Sequence, residues 1–234
     1  MKKIFFIFAV FFITPCNSKE LHGEVLIASF ATSILNQEQS VRFNIGLAAA
    51  KINGITVYPG EIFSFNNIVG EASASKGFKT GRVLYEDRVS YESGGGVCQV
   101  SSTLFNAFLL AGCTIIERHR HQFPVSYVPP GLDATIKFGK KDLRIKNPHS
   151  CPIIIKSLVN ESSLIISIFA SENLSEFYEV WTEADELTMP LNNDSDKKIR
   201  NAMTIYVYRR TLKEGKTIKT SLLYKDFYPP YYID

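Results

Sequence analysis

The amino-acid sequence predicts an α+β fold, a mostly antiparallel sheet or barrel with two principal helices. Two segments of the 234-residue chain repeat apolar residues at helical spacing. Many short runs alternate between apolar and polar residues, as β-strands do, and turn residues such as Pro59-Gly60 and Glu214-Gly215 separate them. Hydrophobic residues make up 45% of the chain and charged residues 21%, which suffices for one sizeable core.

The N-terminus has the pattern of a secretory signal peptide over residues 1–18. Two lysines precede an apolar run over residues 4–13, and small residues surround a predicted cleavage site after Ser18. The run is too short to cross a bilayer as a helix. We therefore expect an exported, extracytoplasmic protein that is soluble, with a lipid anchor on Cys16 as the alternative.

The charge of the chain argues against a nucleic-acid partner. The formal net charge is +3, and the basic residues are dispersed without a run of four. A weakly basic exported protein is compatible with an anionic cell wall or membrane surface, so association with a membrane surface stays open.

Each predicted helix has a start and a stop signal. The first follows Asn36 and carries Val41, Ile45, Ala48 and Ile52 before Asn53-Gly54 ends it. The second is amphipathic and lies between the run Gly94-Gly95-Gly96 and Gly112, which has the place of a C′ glycine. Its apolar stripe consists of Val97, Val100, Leu104, Ala107, Phe108 and Ala111.

The remaining apolar runs predict strands, with a polar loop over residues 190–198 before the C-terminal hairpin. The predicted strands cover residues 24–32, 55–58, 61–65, 81–85, 88–91, 114–121, 123–128, 134–138, 143–146, 152–156, 163–169, 177–182, 204–211 and 217–224.

Three cysteines, Cys98, Cys113 and Cys151, remain after the predicted cleavage, so at least one thiol is unpaired in an oxidising compartment. Cys98 begins the second helix, where free N–H groups and the positive end of the helix dipole stabilise a thiolate. We predict that Cys98 is a nucleophile, against the alternative of a small buried residue. Cys113 and Cys151 are interpreted as structural thiols or as partners of each other.

The residues around Cys98 suggest donors for a developing oxyanion. The glycines allow a sharp turn and a close approach of substrate. The N–H groups of Gly95 and Gly96, and the side chain of Gln99, are the predicted oxyanion or substrate-binding groups.

The predicted base comes from a pair of histidines. His119 and His121 fall on one face of the predicted strand 114–121, together with Glu117. We predict His119 as the general base, because a strand interior holds a ring firmly, and His121 as a group that positions substrate. Asp133 or Glu117 would orient the base.

Two other interpretations of the histidines stay open. His-x-His with a thiolate is a three-ligand zinc set, although no further Cys or His cluster completes it. Two surface histidines on an edge strand are the simplest interpretation. We expect no metal and no cofactor.

Long blocks of the sequence resemble the VanW family, which is named for an accessory protein of glycopeptide-resistance clusters. The blocks are GGGVCQVSSTLFNAFLLAG, ERHRHQFPVSYVPPGLDATIKFG and DLRIKNPHSCPIII, and VYPGEIFSFNNIVGEASASKGF fits the same pattern. The resemblance covers most of residues 25–170. It predicts a VanW-like domain over residues 19–172 and a C-terminal β extension with a hairpin over residues 173–234.

The resemblance implies work on the bacterial cell envelope. Some members of the family are L,D-transpeptidases that cross-link peptidoglycan stem peptides through a cysteine, and the matching residue is Cys98. Ser126, in the second block, becomes a candidate substrate-binding side chain. The alternative is a VanW domain without catalysis that binds wall peptides or scaffolds envelope proteins. The residues His149 and Cys151 depart from the family pattern, so no role is carried over to them.

Overall fold

The computed structural model describes residues 4–7, 24–85, 88–187 and 198–233. It is mixed and rich in sheet, all its strand pairs are antiparallel, and no sheet in these ranges closes into a barrel. The predicted α+β class is therefore confirmed, but the barrel alternative is wrong. The helices are α1 (Gln39–Ile52), α2 (Phe65–Val69) and α3 (Val97–Leu110), with a 3₁₀ turn at Ala74–Lys76.

Fifteen strands make up five sheets within the described ranges. In chain order they are β1 (Ile4–Ile7), β2 (Val25–Ser33), β3 (Thr56–Val57), β4 (Ile62–Ser64), β5 (Thr80–Tyr85), β6 (Arg88–Ser93), β7 (Thr114–Glu117), β8 (Arg144–Lys146), β9 (Ile153–Val159), β10 (Ser163–Ala170), β11 (Glu176–Leu187), β12 (Lys198–Arg200), β13 (Ala202–Lys213), β14 (Lys216–Tyr228) and β15 (Tyr231–Ile233).

Two four-stranded sheets position the other elements. One has the order β2-β10-β9-β3 and packs against α1 and α3, and the other has the order β1-β11-β13-β14. The smaller sheets are β4-β8-β7, β5-β6 and β12-β15.

Only part of the predicted signal peptide is described. Its four residues Ile4–Ile7 pair with β11, whereas Cys16 and the predicted cleavage site lie outside the described residues, as does most of the predicted loop 190–198. In the described part of the chain, no helix is long and apolar enough to cross a membrane.

Helix α3 is buried on every side instead of being amphipathic. All six residues of its predicted apolar stripe are buried, as expected, but so are the polar residues on its other faces. Buried polar groups need hydrogen-bond partners. The irregular segment 132–134 supplies them for Ser101, Ser102 and Asn106, and β2 supplies them for Gln99 and Thr103. The polar members are Gln99, Ser101, Ser102, Thr103 and Asn106.

The chain between β7 and β8 has less regular structure than the alternation of its residues predicts. The strand expected over residues 114–121 ends at Glu117, and the ranges 123–128 and 134–138 contain no strand. Pro124, Pro129 and Pro130 lack the N–H that a strand ladder requires. Backbone groups of residues 132–134 are bonded to side chains of α3 in place of a neighbouring strand.

Candidate active site

Cys98 lies in the first turn of α3, directly after the three glycines. Gly96 caps the helix with a φ of 100°, a left-handed conformation that favours glycine. A Cβ atom on Gly95 would lie 2.7 Å from the carbonyl oxygen of Arg82, so this position tolerates no side chain. The amide of Asn44 fixes the loop by donating to the carbonyl of Gly95 at 3.0 Å.

Carbonyl groups of the glycine loop accept hydrogen bonds from two N–H groups of the first helical turn. Val97 donates its N–H to the carbonyl of Gly94 at 3.1 Å, and Gln99 donates to that of Gly96 at 3.0 Å. The N–H of Cys98 lies between them and has no acceptor among the residues that the structure describes. The loop thus leaves one backbone donor next to the sulfur.

The polar side of α3 holds the segment that carries Asp133. Ser101 donates its hydroxyl to the carbonyl of Ala134 at 2.5 Å, and the hydroxyl of Ser102 accepts the N–H of Ala134 at 2.9 Å. Asn106 donates to the carbonyl of Leu132 at 2.7 Å. These bonds fix Asp133 beside the helix that carries Cys98.

Cys98, His121 and Asp133 form one row, in which His121 is hydrogen-bonded to Asp133 and interacts with Cys98. Oδ2 of Asp133 lies 2.5 Å from Nδ1 of His121 and also accepts the backbone N–H of His121 at 2.6 Å. Because Nδ1 faces the carboxylate, Nε2 is the ring nitrogen left for the thiol, and His121 is close enough to Cys98 to lower the pKa of the thiol. Sγ of Cys98 also lies 3.6 Å from the hydroxyl oxygen of Thr135.

The electrostatics of this row favour an ion pair. Burial acts to raise the pKa of the Cys98 thiol, but the interaction with His121, together with the contacts to Ile136 and Thr135, lowers it. Burial acts to lower the pKa of His121, yet its hydrogen bonds to Asp133 and Cys98 raise it to about 9. Both shifts favour the charged pair, a thiolate beside an imidazolium, over the neutral pair.

Asp133 is braced from a distant part of the chain. Arg118 contacts Oδ1 of Asp133 at 2.9 Å and Oδ2 of Asp226, on β14, at 2.6 Å. The hydroxyl of Tyr228, also on β14, donates to Oδ1 of Asp133 at 3.2 Å and accepts the N–H of Gly131 at 3.2 Å. Burial acts to raise the pKa of Asp133, but His121 and Arg118 lower it below its usual value. The carboxylate is thus held charged and in one orientation.

His119 does not take part in this row, so the contacts of the two histidines differ from the predicted ones. Its Nε2 lies 2.9 Å from Oε1 of Glu117, and the ring is partly exposed. The chain leaves the β conformation after Glu117, so the two rings have different partners although they are two residues apart. Glu117 likewise contacts His119, Arg144 and the N–H of Asp142, so it orients no base for Cys98.

Gln99 has a structural role, contrary to the prediction that it is an oxyanion donor. Its side chain is buried, where Nε2 donates to Oγ1 of Thr32 at 3.0 Å and to the carbonyl of Ser33 at 2.8 Å. Its Oε1 accepts from Nε2 of Gln37 at 2.9 Å. The amide is therefore fully engaged in joining α3 to β2.

Ser126 is exposed and lines a groove next to the row. The groove lies between β2 and the segment 126–130. Its lining residues are Phe30, Ala31, Ser126, Tyr127, Val128, Pro129 and Pro130. The ring of Tyr127 meets that of His121 edge to face, with centroids 6.4 Å apart.

Several residues of the site were missed at the level of sequence. Arg118 lies on the opposite face from the histidines of the predicted strand, and Asp226 and Tyr228 are about a hundred residues further along the chain. Tyr127 and Thr135 occur in the same sequence blocks as His121 and Asp133. The only signal for Tyr127 and Thr135 was that each carries a hydroxyl group within a block of turn and apolar residues.

The other two cysteines do not belong to this row. Cys113 and Cys151 are buried free thiols, so the suggested pairing between them is absent. Burial raises the pKa of Cys113 to about 12, which makes it a poor nucleophile. Within the described residues, no three His, Cys, Asp or Glu side chains are grouped in a way that would hold a metal ion.

Comparison with known proteins assigns the chain to a family. The family model described as VanW like protein matches residues 41–169. The uncharacterized protein YoaR of Bacillus subtilis (strain 168) is 40% identical over 146 residues, which are 62% of this chain and 48% of that protein. The vancomycin B-type resistance protein VanW of Enterococcus faecalis (strain ATCC 700802 / V583) is 33% identical over 202 residues, which are 82% of this chain and 69% of that protein.

The chain thus spans about half the length of YoaR and about two thirds of the length of the enterococcal protein. No solved structure is significantly similar to it. The matched range 41–169 contains Cys98, His121 and Asp133, and the chain is a member of the VanW family.

Proposed function

We propose that this protein is an exported, cysteine-dependent acyltransferase of the cell envelope, an L,D-transpeptidase that acts on peptidoglycan stem peptides. The observation that supports this most is the row of Cys98, His121 and Asp133, with 2.5 Å between the carboxylate and the imidazole and a lowered thiol pKa. A nucleophile, a base and an oriented carboxylate are the parts that cysteine acyl transfer needs. The family supports the setting, since one relative carries the name vancomycin B-type resistance protein.

The first half of the proposed reaction forms an acyl-thioester. The Cys98 thiolate attacks the carbonyl carbon of the amide before the terminal D-amino acid, and the carbonyl oxygen becomes an oxyanion. The free N–H of Cys98 is the proposed donor to this oxyanion. His121, as an imidazolium, then protonates the leaving nitrogen while the C–N bond breaks, and a free D-amino acid departs.

The second half transfers the acyl group. His121 is now neutral and takes a proton from the amine of a second stem peptide as that amine attacks the thioester. The C–S bond breaks, a new amide forms, and the thiolate and imidazolium are restored. Water in place of the amine would give hydrolysis. Asp133 keeps Nδ1 protonated throughout, so Nε2 performs both transfers.

A direct experiment is incubation of the purified protein with disaccharide tetrapeptides, followed by mass spectrometry. Cross-linked dimers and an acyl adduct on the peptide containing Cys98 are the expected products. Tripeptide products without dimers would mean that water is the acceptor. Unchanged substrate together with measurable binding would contradict the enzyme proposal and favour a VanW domain that only binds wall peptides.

The pH dependence of thiol reactivity tests the ion pair independently of any peptide. Because the pKa of Cys98 is lowered, we expect its rate of alkylation by iodoacetamide to reach a plateau below the midpoint of a free cysteine, about 8.5. Because the pKa of His121 is raised to about 9, acyl transfer should decline as the pH rises through 9, where the proton for the leaving nitrogen is lost.

Two variants serve as controls for the alkylation profile. The change His121→Ala removes the two largest effects that oppose burial, so the midpoint should move to higher pH, whereas His119→Ala should leave it in place. Peptide mapping assigns the modified residue, because Cys113 and Cys151 are also free. A wild-type midpoint of about 8.5 or higher would count against an activated thiol.

A further inference from the structure

Strand β2 lies at the edge of its sheet, and part of its backbone faces away from the sheet. Its only neighbour in the order β2-β10-β9-β3 is β10. The N–H of Ile34, just after β2, donates to the carbonyl of Ser162 at 2.8 Å. Since antiparallel ladders alternate, the backbone groups of Ser29, Ala31 and Ser33 point toward the open edge.

Two side-chain contacts agree with this alternation. Ser29 and Ser167 are register partners, and their hydroxyl oxygens are 3.0 Å apart, as expected for a pair without ladder hydrogen bonds, whose side chains come close. The outward carbonyl of Ser33 is already bonded to Nε2 of Gln99. The N–H and C=O of Ala31 have no such partner in the described part of the chain.

Ala31 is exposed at the mouth of the groove already described. One wall of the groove is the edge of β2 at Phe30 and Ala31, and the other is the segment 126–130. Its lining combines apolar surface with the exposed hydroxyl of Ser126. A groove with one unpaired strand edge and a largely apolar opposite wall suits an extended peptide with small side chains.

Both walls of the groove lead to the proposed nucleophile. On one wall, Thr32 follows Ala31 and accepts a hydrogen bond from the side chain of Gln99, the residue after Cys98. On the other wall, the ring of Tyr127 contacts the ring of His121 at 6.4 Å between centroids. A peptide bound in the groove would therefore have one end at the Cys98–His121 pair.

We propose that the acyl donor binds as an additional strand on β2, with its main chain paired to the N–H and C=O of Ala31. The occupant is a short extended peptide with free main-chain donors and acceptors, and this inference rests on the proposed function. Main-chain pairing holds the peptide in one register, so that a single carbonyl meets Sγ of Cys98. Ser126 and the prolines 129 and 130 would contact the alternate side chains.

The proposal is tested on the unmodified protein with a set of tetrapeptide donors. Each donor carries one N-methyl group on a different main-chain nitrogen, which removes a single hydrogen-bond donor. We expect one methylation site, away from the amide that reacts, to raise KM roughly 10-fold while kcat changes little, because one hydrogen bond is lost and one carbonyl is left unpaired. Equal KM values across all sites away from the reacting amide would overturn the proposal.

The variant Ala31→Pro tests the same contact from the protein side. Proline removes the outward N–H and leaves the ladder to β10 intact, since the position faces the open edge. We expect KM for the peptide to rise roughly 10-fold, with the alkylation rate of Cys98 by iodoacetamide unchanged, because the small reagent does not need the groove. The conservative variant Ala31→Ser keeps the N–H and should restore binding.

The outcomes separate this inference from the proposed function. If the wild-type protein forms an acyl-enzyme and Ala31→Pro leaves KM unchanged, strand addition is wrong and the proposed function stands. If the wild-type protein is alkylated at Cys98 but no peptide acylates it, the proposed function fails. If Ala31→Pro does not fold, the N-methyl series decides the question alone.

Discussion

Replacing Cys98 with alanine is expected to abolish acyl transfer, with a loss of roughly 10⁴-fold or more, the scale seen when a covalent nucleophile is removed. Neither of the other two thiols among the described residues can take its place, because Cys113 and Cys151 are buried and the pKa of Cys113 is raised to about 12. The measurements are the yield of cross-linked product and the mass of the acyl adduct. The fold should be retained, since the side chain is partly buried and alanine is smaller.

The matched control is Cys151→Ala, which removes a thiol from the same protein at a site remote from His121. We expect this variant to keep wild-type transfer. Retained transfer in Cys98→Ala, or equal losses in the two variants, would contradict a thioester at Cys98. In the first case the activity would have to come from another nucleophile. In the second case the loss of activity would come from a general loss of structure.

The second large effect is expected at His121. The change His121→Ala removes the group that takes and returns the proton, and losing a general base costs about 100-fold or more in acylation. The change His119→Ala should have an effect of only a few-fold, because His119 pairs with Glu117 and not with the thiol. Single-turnover acylation of Cys98 by a tetrapeptide measures both.

The pair of variants also tests two alternative interpretations, His119 as the general base and a zinc ion held by the thiol and the histidines. A large loss in His119→Ala with little change in His121→Ala would restore the assignment predicted from the sequence. Large losses in both variants, combined with loss of activity on adding a chelator, would favour zinc held by the thiol and the histidines. The wild-type protein with and without chelator provides the control.

The elements with strong local signals could be predicted from the sequence. Glycines on either side of α3 mark its limits, and the stripe from Val97 to Ala111 has the spacing of a helix buried along one face. Its other faces gave a misleading signal, because serine, threonine and asparagine usually indicate exposure. Here they are buried, since the serines and the asparagine hold the segment around Asp133 and Thr103 bonds to Thr32 on β2.

The site could be predicted only as a set of residue types. Cys98 is identifiable because an unpaired thiol, three glycines and a helix start coincide. The structure places His121 beside Asp133 in place of the predicted His119, because the prediction assumed a strand as far as residue 121, whereas β7 ends at Glu117. The role of Gln99 depends on contacts with Thr32 and Ser33, more than sixty residues away, and no periodicity encodes such contacts.

The brace on Asp133 has a consequence for how this protein can be divided or recombined. Asp226 and Tyr228 reach the site from β14, far beyond residue 169, where the match to the family model ends. An expression fragment cut at that boundary would retain the nucleophile and its histidine but expose the guanidinium of Arg118 and loosen the carboxylate. Exchange of C-terminal segments between relatives should succeed only when the residues equivalent to Arg118, Asp226 and Tyr228 are exchanged together. Substitutions at these three positions should therefore be correlated among relatives.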